Sequence, residues 1–330
     1  MARLIRNPHV ERAALKLKNT SDWIVAKLIG ALLKVVRLLP PERSTAMAER
    51  IGRRLAPILP RSKLARKNLR LAFPEKSDDE IETLLRGVWG NVARGIAEYV
   101  FLDQLFDFDV ENPTAGRIEV CGIEQFVKLR DSGKPVIIFT GHTGNFEILP
   151  IAAAAYDLNV TAMFRPPNNR YLAEKLMKAR STASGHLVPS RVGAAWSLAR
   201  ILDNNEAVGL LADQAFTTGP RITFFGREAS ANPVAAKLAR QYDCDIHPAR
   251  CVRLPEGRFR LELHEAIDIP RTANGDVDVL GTTERINAII EGWVREEPEQ
   301  WLWLHDRWKI KADPKKAWRE ARAKQLRDKN

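Results

Sequence analysis

The run 137-IIFTGHTGNFEILP-150 passes from apolar, β-branched residues through a glycine to a histidine, and then into a new apolar pattern. His142 and Glu147 stand five positions apart in it. At about 100° per residue, five steps rotate one side chain well away from the other, so the pair does not share a helix face as the common helical zinc ligands do. The two meet only if the chain between them turns from strand to helix, and Gly144 is suited to that turn. With 135-PVIIF-139 in a sheet, His142 emerges at the strand's C-terminal edge and Glu147 falls in the first turn of the following helix, where the helix dipole favours a carboxylate. Such a carboxylate can accept the imidazole Nδ1–H, fix the tautomer and leave Nε2 free to take a proton from a hydroxyl. This is the logic of a catalytic triad with the acceptor's hydroxyl in place of the enzyme's serine, and it needs no metal and no covalent intermediate. The plainer alternative is that His142 caps the helix and Glu147 points to solvent.

Working outward, short β-like runs recur at 117–122, 159–164, 186–190, 206–213, 245–254 and 258–269, with helical patterns between several of them, such as 171–184 and 193–205. Strands alternating with helices predict an α/β fold, a mainly parallel central sheet flanked by helices, with ligands collecting where strands end and helices begin. Ahead of the sheet, residues 63–102 carry helical periodicity, with Ser77 and Glu80 forming a capping box before Ile81, Leu84, Leu85, Val88, Trp89 and Val92.

The basic excess of the chain sits at one end. Residues 1–70 contain 17 Lys and Arg against 4 Asp and Glu, a net of +13 out of +11 for the whole chain. Within them, 23-WIVAKLIGALLKVVRLLPP-41 is strongly apolar but interrupted by Lys27, Lys34 and Arg37, which fall on one side of a helix. That combination predicts a membrane-associated helix, lying in the headgroup region or tilted across the bilayer with snorkelling cations, on an anionic membrane. A cleaved signal peptide does not fit charges inside the apolar run. A basic nucleic-acid-binding protein is the rival from another class, but no aromatic-studded basic strand face accompanies the charge, so no nucleic acid is expected. Three cysteines without CxxC spacing and scattered histidines predict neither disulfides nor a metal site.

Six stretches, in order, carry a resemblance: 67-KNLRLAFPE-75, 141-GHTGNFE-147, 164-FRPPNN-169, 209-GLLADQ-214, 223-TFFGREASANP-233 and 298-PEQWLWLHDRWK-309. Together they resemble the late acyltransferases of lipid A biosynthesis, the lauroyl and myristoyl transferases, within the wider group that bears an H-x4-D/E motif. The resemblance runs from the N-terminal helix to about residue 310. It implies transfer of a fatty acyl chain from acyl carrier protein to a hydroxyl of a phosphorylated glucosamine-disaccharide lipid, at the cytoplasmic face of the bacterial inner membrane, without a cofactor. It also implies His142 as general base with Glu147 as its partner. Arg165, Arg180, Asp213 and Gln214 lie in or near stretches where the family places its other, substrate-binding polar residues. The ending of 164-FRPPNN-169 departs from the family's Asn-Pro, which leaves Asn168 and Asn169 without a role. An acyltransferase of the same mechanism with another phospholipid or glycolipid acceptor is the nearest alternative, and a membrane-binding protein without catalysis the more distant one. The expected organisation is a membrane anchor at 1–45, a helical region at 46–115 packed on the core, an α/β acyltransferase core at 116–310 and a charged tail at 311–330.

Overall fold

A computed structural model describes residues 8–113, 115–164, 169, 171–174, 186–189 and 193–309. The N-terminal part is helical: α1 (Pro8–Val36), α2 (Pro41–Leu55), α3 (Ser62–Ala72), α4 (Asp78–Glu98) and the short α5 (Leu102–Leu105). Ser77 caps α4 as its spacing predicts, with the Glu80 amide donating to Ser77 Oγ and the Ser77 amide donating to Glu80 Oε2 at 2.8 Å. Ile81, Leu85 and Val88 on one face of α4 are fully buried. α2 runs across residue 45 without a break.

The remainder is built on seven strands: β1 (Ile118–Cys121), β2 (Val136–Thr140), β3 (Val160–Phe164), β4 (His186–Pro189), β5 (Ala207–Leu211), β8 (Asp245–Arg253) and β9 (Phe259–Leu263). Their spatial order is β1-β9-β8-β2-β5-β3-β4, and every neighbouring pair is parallel except β8 with β9. A separate hairpin pairs β6 (Arg221–Phe224) with β7 (Arg227–Ser230). The sequence carried no sign of this hairpin. Its two-residue turn places Phe225 and Gly226 at φ of 51° and 66°, and a phenylalanine at the first left-handed position lacks the Asn-Gly signature of such turns. The run predicted over 258–269 stops as a strand at Leu263, although the His264 and Ile267 amides still donate to the β8 carbonyls of Pro248 and Ile246.

Strand alternation divides the two faces of the sheet. Ile137 and Phe139 of β2, Val208 and Leu210 of β5 and Ile246 of β8 point into the larger core. That core is closed by α8 (Ala194–Asp203), α9 (Val234–Tyr242) and α10 (Val279–Glu296). Ile138 and Gly209 face the other way, towards α6 (Ile123–Asp131) and α7 (Ile148–Ala155), where a cavity remains instead of a filled core. No helix among the described residues is long and apolar enough to cross a membrane.

Candidate active site

β2 and β5 lie side by side in register, with Thr140 opposite Leu211, and the Ala212 amide donates to the Thr140 carbonyl. His142 and Asp213 each stand two residues beyond that last matched pair, so the parallel register brings them together at the C-terminal edge of the sheet. The imidazole Nδ1 lies 2.7 Å from Asp213 Oδ1, and the His142 backbone N–H donates to Asp213 Oδ2 at 2.9 Å. Trp301 Nε1–H donates to the same Oδ2 at 2.7 Å. Asp213 is fully buried. Burial alone would raise its carboxyl, but the adjoining His142 ring and its hydrogen bonds, with His305 beyond, hold it well below the usual 3.8. An ionised Asp213 fixes the proton of His142 on Nδ1, which leaves Nε2 as an acceptor. The Gln214 amide Nε2 stands 3.3 Å from that Nε2 and donates towards it.

The nitrogen expected to face Glu147 is therefore taken by Asp213. The carboxylate bonded to the ring comes from the neighbouring strand, whereas the H-x4-E spacing pointed to Glu147. Glu147 stays in the same turn, 9% exposed, as the residue that precedes α7. Asp213 and Gln214, expected on resemblance, are at the centre of the site. Arg165 and Arg180 lie outside the described residues.

The turn itself is held from three sides. Gly144 has φ of 55°, and a Cβ there would overlap the Cys251 carbonyl oxygen, so only glycine fits. The Gly144 amide donates to Gln300 O and the Leu302 amide to His142 O, each at 3.0 Å, so 300–302 pairs with the turn almost as an added strand. Asn145 Nδ2 donates to Glu98 Oε2 at 2.9 Å, and Glu98, itself buried on α4, also receives Arg94 and Arg253. An oxyanion hole made from the amides of His142, Thr143 and Gly144 is excluded, because all three already donate within the protein. The side-chain amide of Gln214 is a donor that does face the reactive nitrogen.

The stretch 301–308 builds the back wall. Trp301 and Trp303 are fully buried and meet edge to face at 4.6 Å. Burial lowers His305, leaving it neutral at pH 7, with Nδ1 2.8 Å from Leu302 O. Arg307 is fully buried and among the described residues forms no ion pair; it donates to Ser230 O and Asn287 Oδ1, and burial pushes it down to about 10. It therefore remains a cation at neutral pH and offsets the charge of Asp213 within the same low-dielectric wall. The part Trp301 plays as a further donor to Asp213 is visible only once both segments are placed.

Beside the catalytic edge lies a cavity of about 290 Å³. Thr140, Leu211, Phe146 and Glu147 form the end nearest His142, whose ring packs edge to face on Phe146 at 5.1 Å. From there it runs between Ile138, Gly209 and Val160 of the sheet and Leu149, Ala152 and Phe126 of the covering helices. An apolar cavity of this lining suits a hydrocarbon chain, and His142 reaches it through its ring contact with Phe146. Among the described residues no three of His, Cys, Asp and Glu gather in a metal-binding cluster.

The family described as bacterial lipid A biosynthesis acyltransferase matches residues 9–310. The lipid A biosynthesis lauroyltransferase of Escherichia coli (strain K12) is 24% identical over 314 residues, covering 88% of this chain and 93% of that protein. The lipid A biosynthesis acyltransferase 2 of Shigella flexneri is 23% identical over 293 residues, covering 86% and 87%.

Proposed function

Because the chain belongs to the bacterial lipid A biosynthesis acyltransferases, we propose that it moves a fatty acyl chain from acyl carrier protein to a hydroxyl of a phosphorylated glucosamine-disaccharide precursor, late in lipid A assembly. The observation that carries the mechanism is the His142–Asp213 pair at the end of an apolar channel. The acyl chain lies in the channel and its thioester carbonyl reaches the sheet edge. His142 Nε2 takes the proton of the acceptor hydroxyl as the oxygen attacks that carbonyl. Buried Asp213 steadies the imidazolium through Nδ1–H. The Gln214 amide, released from Nε2 as that nitrogen is protonated, donates to the tetrahedral oxyanion. Collapse of the intermediate breaks the C–S bond and forms the ester, and the departing thiolate takes the proton back from the His142 imidazolium, which restores the base. Glu147 contributes a second negative group at the channel end and favours the imidazolium through space. Arg165 and Arg180 are assigned to the phosphates of the acceptor, which a planar guanidinium grips in bidentate fashion. No cofactor enters this scheme. The basic, apolar N-terminal segment holds the enzyme on the cytoplasmic face of the inner membrane, where both substrates meet.

The test is the purified full-length protein with acyl-loaded carrier protein and a tetra-acylated disaccharide phosphate acceptor, read by mass spectrometry. One added acyl chain, absent with His142→Ala, is expected. Transfer only to glycerol phosphate or to a glycolipid mannose would reassign the acceptor, and no transfer to any of them would overturn the reading.

A further inference from the structure

α2 presents two different arginine faces. Arg53 turns inward, pairs with Glu49 and Glu299 and packs beside α4. Arg43, Arg50 and Arg54 are exposed, and among the described residues none of them forms an ion pair. At about 100° per residue these three line one side of the helix, and Met47, Ile51 and Leu55 run directly beside them, all within an arc of about 140°. Ile58, in the turn that follows, continues the apolar row. These four apolar side chains are between 41% and 78% exposed.

A mixed stripe of this kind does not arise from helix stability. Four exposed large apolar residues at spacings of four, four and three gain nothing by facing water, and three neighbouring unpaired cations repel one another. The acidic residues of α2 do not neutralise them: Glu42 pairs with Arg117, and Glu49 with Arg53 and Arg94. The stripe also does not stand alone. Four residues separate α2 from α1, whose Trp23, Ile24, Val25, Leu28 and Val35 are exposed, and the connection between them exposes Leu38 and Leu39. From Trp23 to Ile58 exposed apolar residues and cations thus recur along the chain.

We propose that the Met47–Ile51–Leu55–Ile58 face of α2 is a second membrane contact, seated in the headgroup region of an anionic bilayer with Arg43, Arg50 and Arg54 on lipid phosphates. It rests on the membrane reading of the N-terminal segment and adds a consequence. An anchor formed by α1 alone leaves the folded body free to pivot, whereas two contacts on successive helices fix its orientation. α2 packs along α4, whose Glu98 holds Asn145 in the catalytic turn, so the fixed body presents the channel end at a set height above the lipid. An acidic protein partner also complements arginines, but it does not account for the exposed apolar residues that recur from α1 to Ile58.

The experiment uses full-length protein with Cys121→Ser and a single cysteine introduced at Met47, Ile51, Leu55 or Ile58 in turn, each carrying a spin label, with Thr83→Cys on exposed α4 surface as control. Vesicles of phosphatidylglycerol and phosphatidylcholine are added, and accessibility to oxygen and to a polar nickel reagent is measured. Labels on the stripe are expected to gain oxygen exposure and lose nickel exposure on binding, while position 83 does not change. Arg43→Glu/Arg50→Glu/Arg54→Glu is expected to weaken binding to anionic vesicles by about 10²-fold, at roughly 1 kcal/mol for each cation removed, with the circular dichroism unchanged. Stripe labels that stay water-exposed on protein bound to vesicles overturn the α2 contact while leaving the α1 anchor intact. Protein that binds no vesicles overturns the membrane reading as well. Spin–spin broadening at the stripe, or burial only on adding acyl carrier protein, would give the face to a second copy or to the carrier, and would likewise overturn the proposal.

Discussion

Asp213→Asn is the substitution that separates the site found here from the dyad suggested by sequence spacing. In the native protein Oδ1 accepts from His142 Nδ1 and Oδ2 accepts from two donors, the His142 amide and Trp301 Nε1. An asparagine at 213 has one oxygen and one NH₂ for these two places. The oxygen takes the position with two donors, since an NH₂ there would face two N–H groups in a fully buried site. The NH₂ then faces His142 Nδ1, which must become the acceptor, so the ring proton moves to Nε2. The nitrogen meant to take the hydroxyl proton already carries one. General-base catalysis contributes about 10²–10⁴-fold, and kcat is expected to fall by that order. The acyl channel is untouched, so the KM for the acyl donor should change little. Glu147→Gln leaves the Asp213–Nδ1 bond, and with it the tautomer, in place, so its loss should be smaller than that of Asp213→Asn.

The assay is acyl transfer in detergent under saturating donor, with circular dichroism as the folding control. A double mutant with His142→Ala should be no slower than His142→Ala alone, because Asp213 acts only through that ring. Near-normal kcat in folded Asp213→Asn, with a large loss in Glu147→Gln, would refute the assignment and restore Glu147 as the orienting carboxylate. Asp213 also carries a stability signature. Its carboxyl is held below the usual 3.8 in the folded protein, so its contribution is fully present above about pH 4 and is lost as pH falls through the depressed folded value. Asp213→Asn should therefore lack that part of the acid-dependent loss of stability, which urea titrations between pH 5 and pH 3 would show.

Gly209 lines the channel, and a Cβ there would meet Val160 Cγ1 at 3.1 Å; Gly209→Leu should shift preference to shorter acyl donors, by about 15-fold if two methylenes are excluded at about 0.8 kcal/mol each. Mixed-chain competition with mass spectrometry checks it, and an unchanged product distribution would show that the chain lies elsewhere. Glu98→Ala leaves the buried Arg253 guanidinium without its carboxylate, while Arg94 keeps Glu49, and should cost about 3–5 kcal/mol of unfolding free energy in denaturant titration. Burial pushes the Cys251 thiol up to about 12 and that of Cys244 up to about 11, so iodoacetamide at pH 8 should alkylate only exposed Cys121 in the folded chain; intact mass would show more than one adduct if that is wrong.

What the sequence made legible was the local chemistry. β2, the glycine turn and α7 follow from apolar run, Gly144 and helical pattern, each within a dozen residues. The capping box of α4 was equally local. What it concealed was register. The meeting of His142 with Asp213 depends on β2 and β5 lying adjacent although 71 residues separate the two side chains, with Thr140 opposite Leu211. A shift of one residue would turn Asp213 away, and nothing in either strand's own sequence states which neighbour it takes. The spacing of His142 and Glu147 drew attention because it was visible along the chain. A carboxylate on the adjoining strand end is better placed for the ring, since parallel strands deliver their terminal residues side by side, whereas Glu147 must follow a turn whose path is dictated by Gln300, Cys251 and Glu98. The same reasoning explains Trp301: as a tryptophan it reads as core, and only the pairing of 300–302 with the turn aims its indole N–H at the buried carboxylate. The carboxylate bonded to the ring is thus a product of sheet order, while the histidine itself was already legible in the sequence.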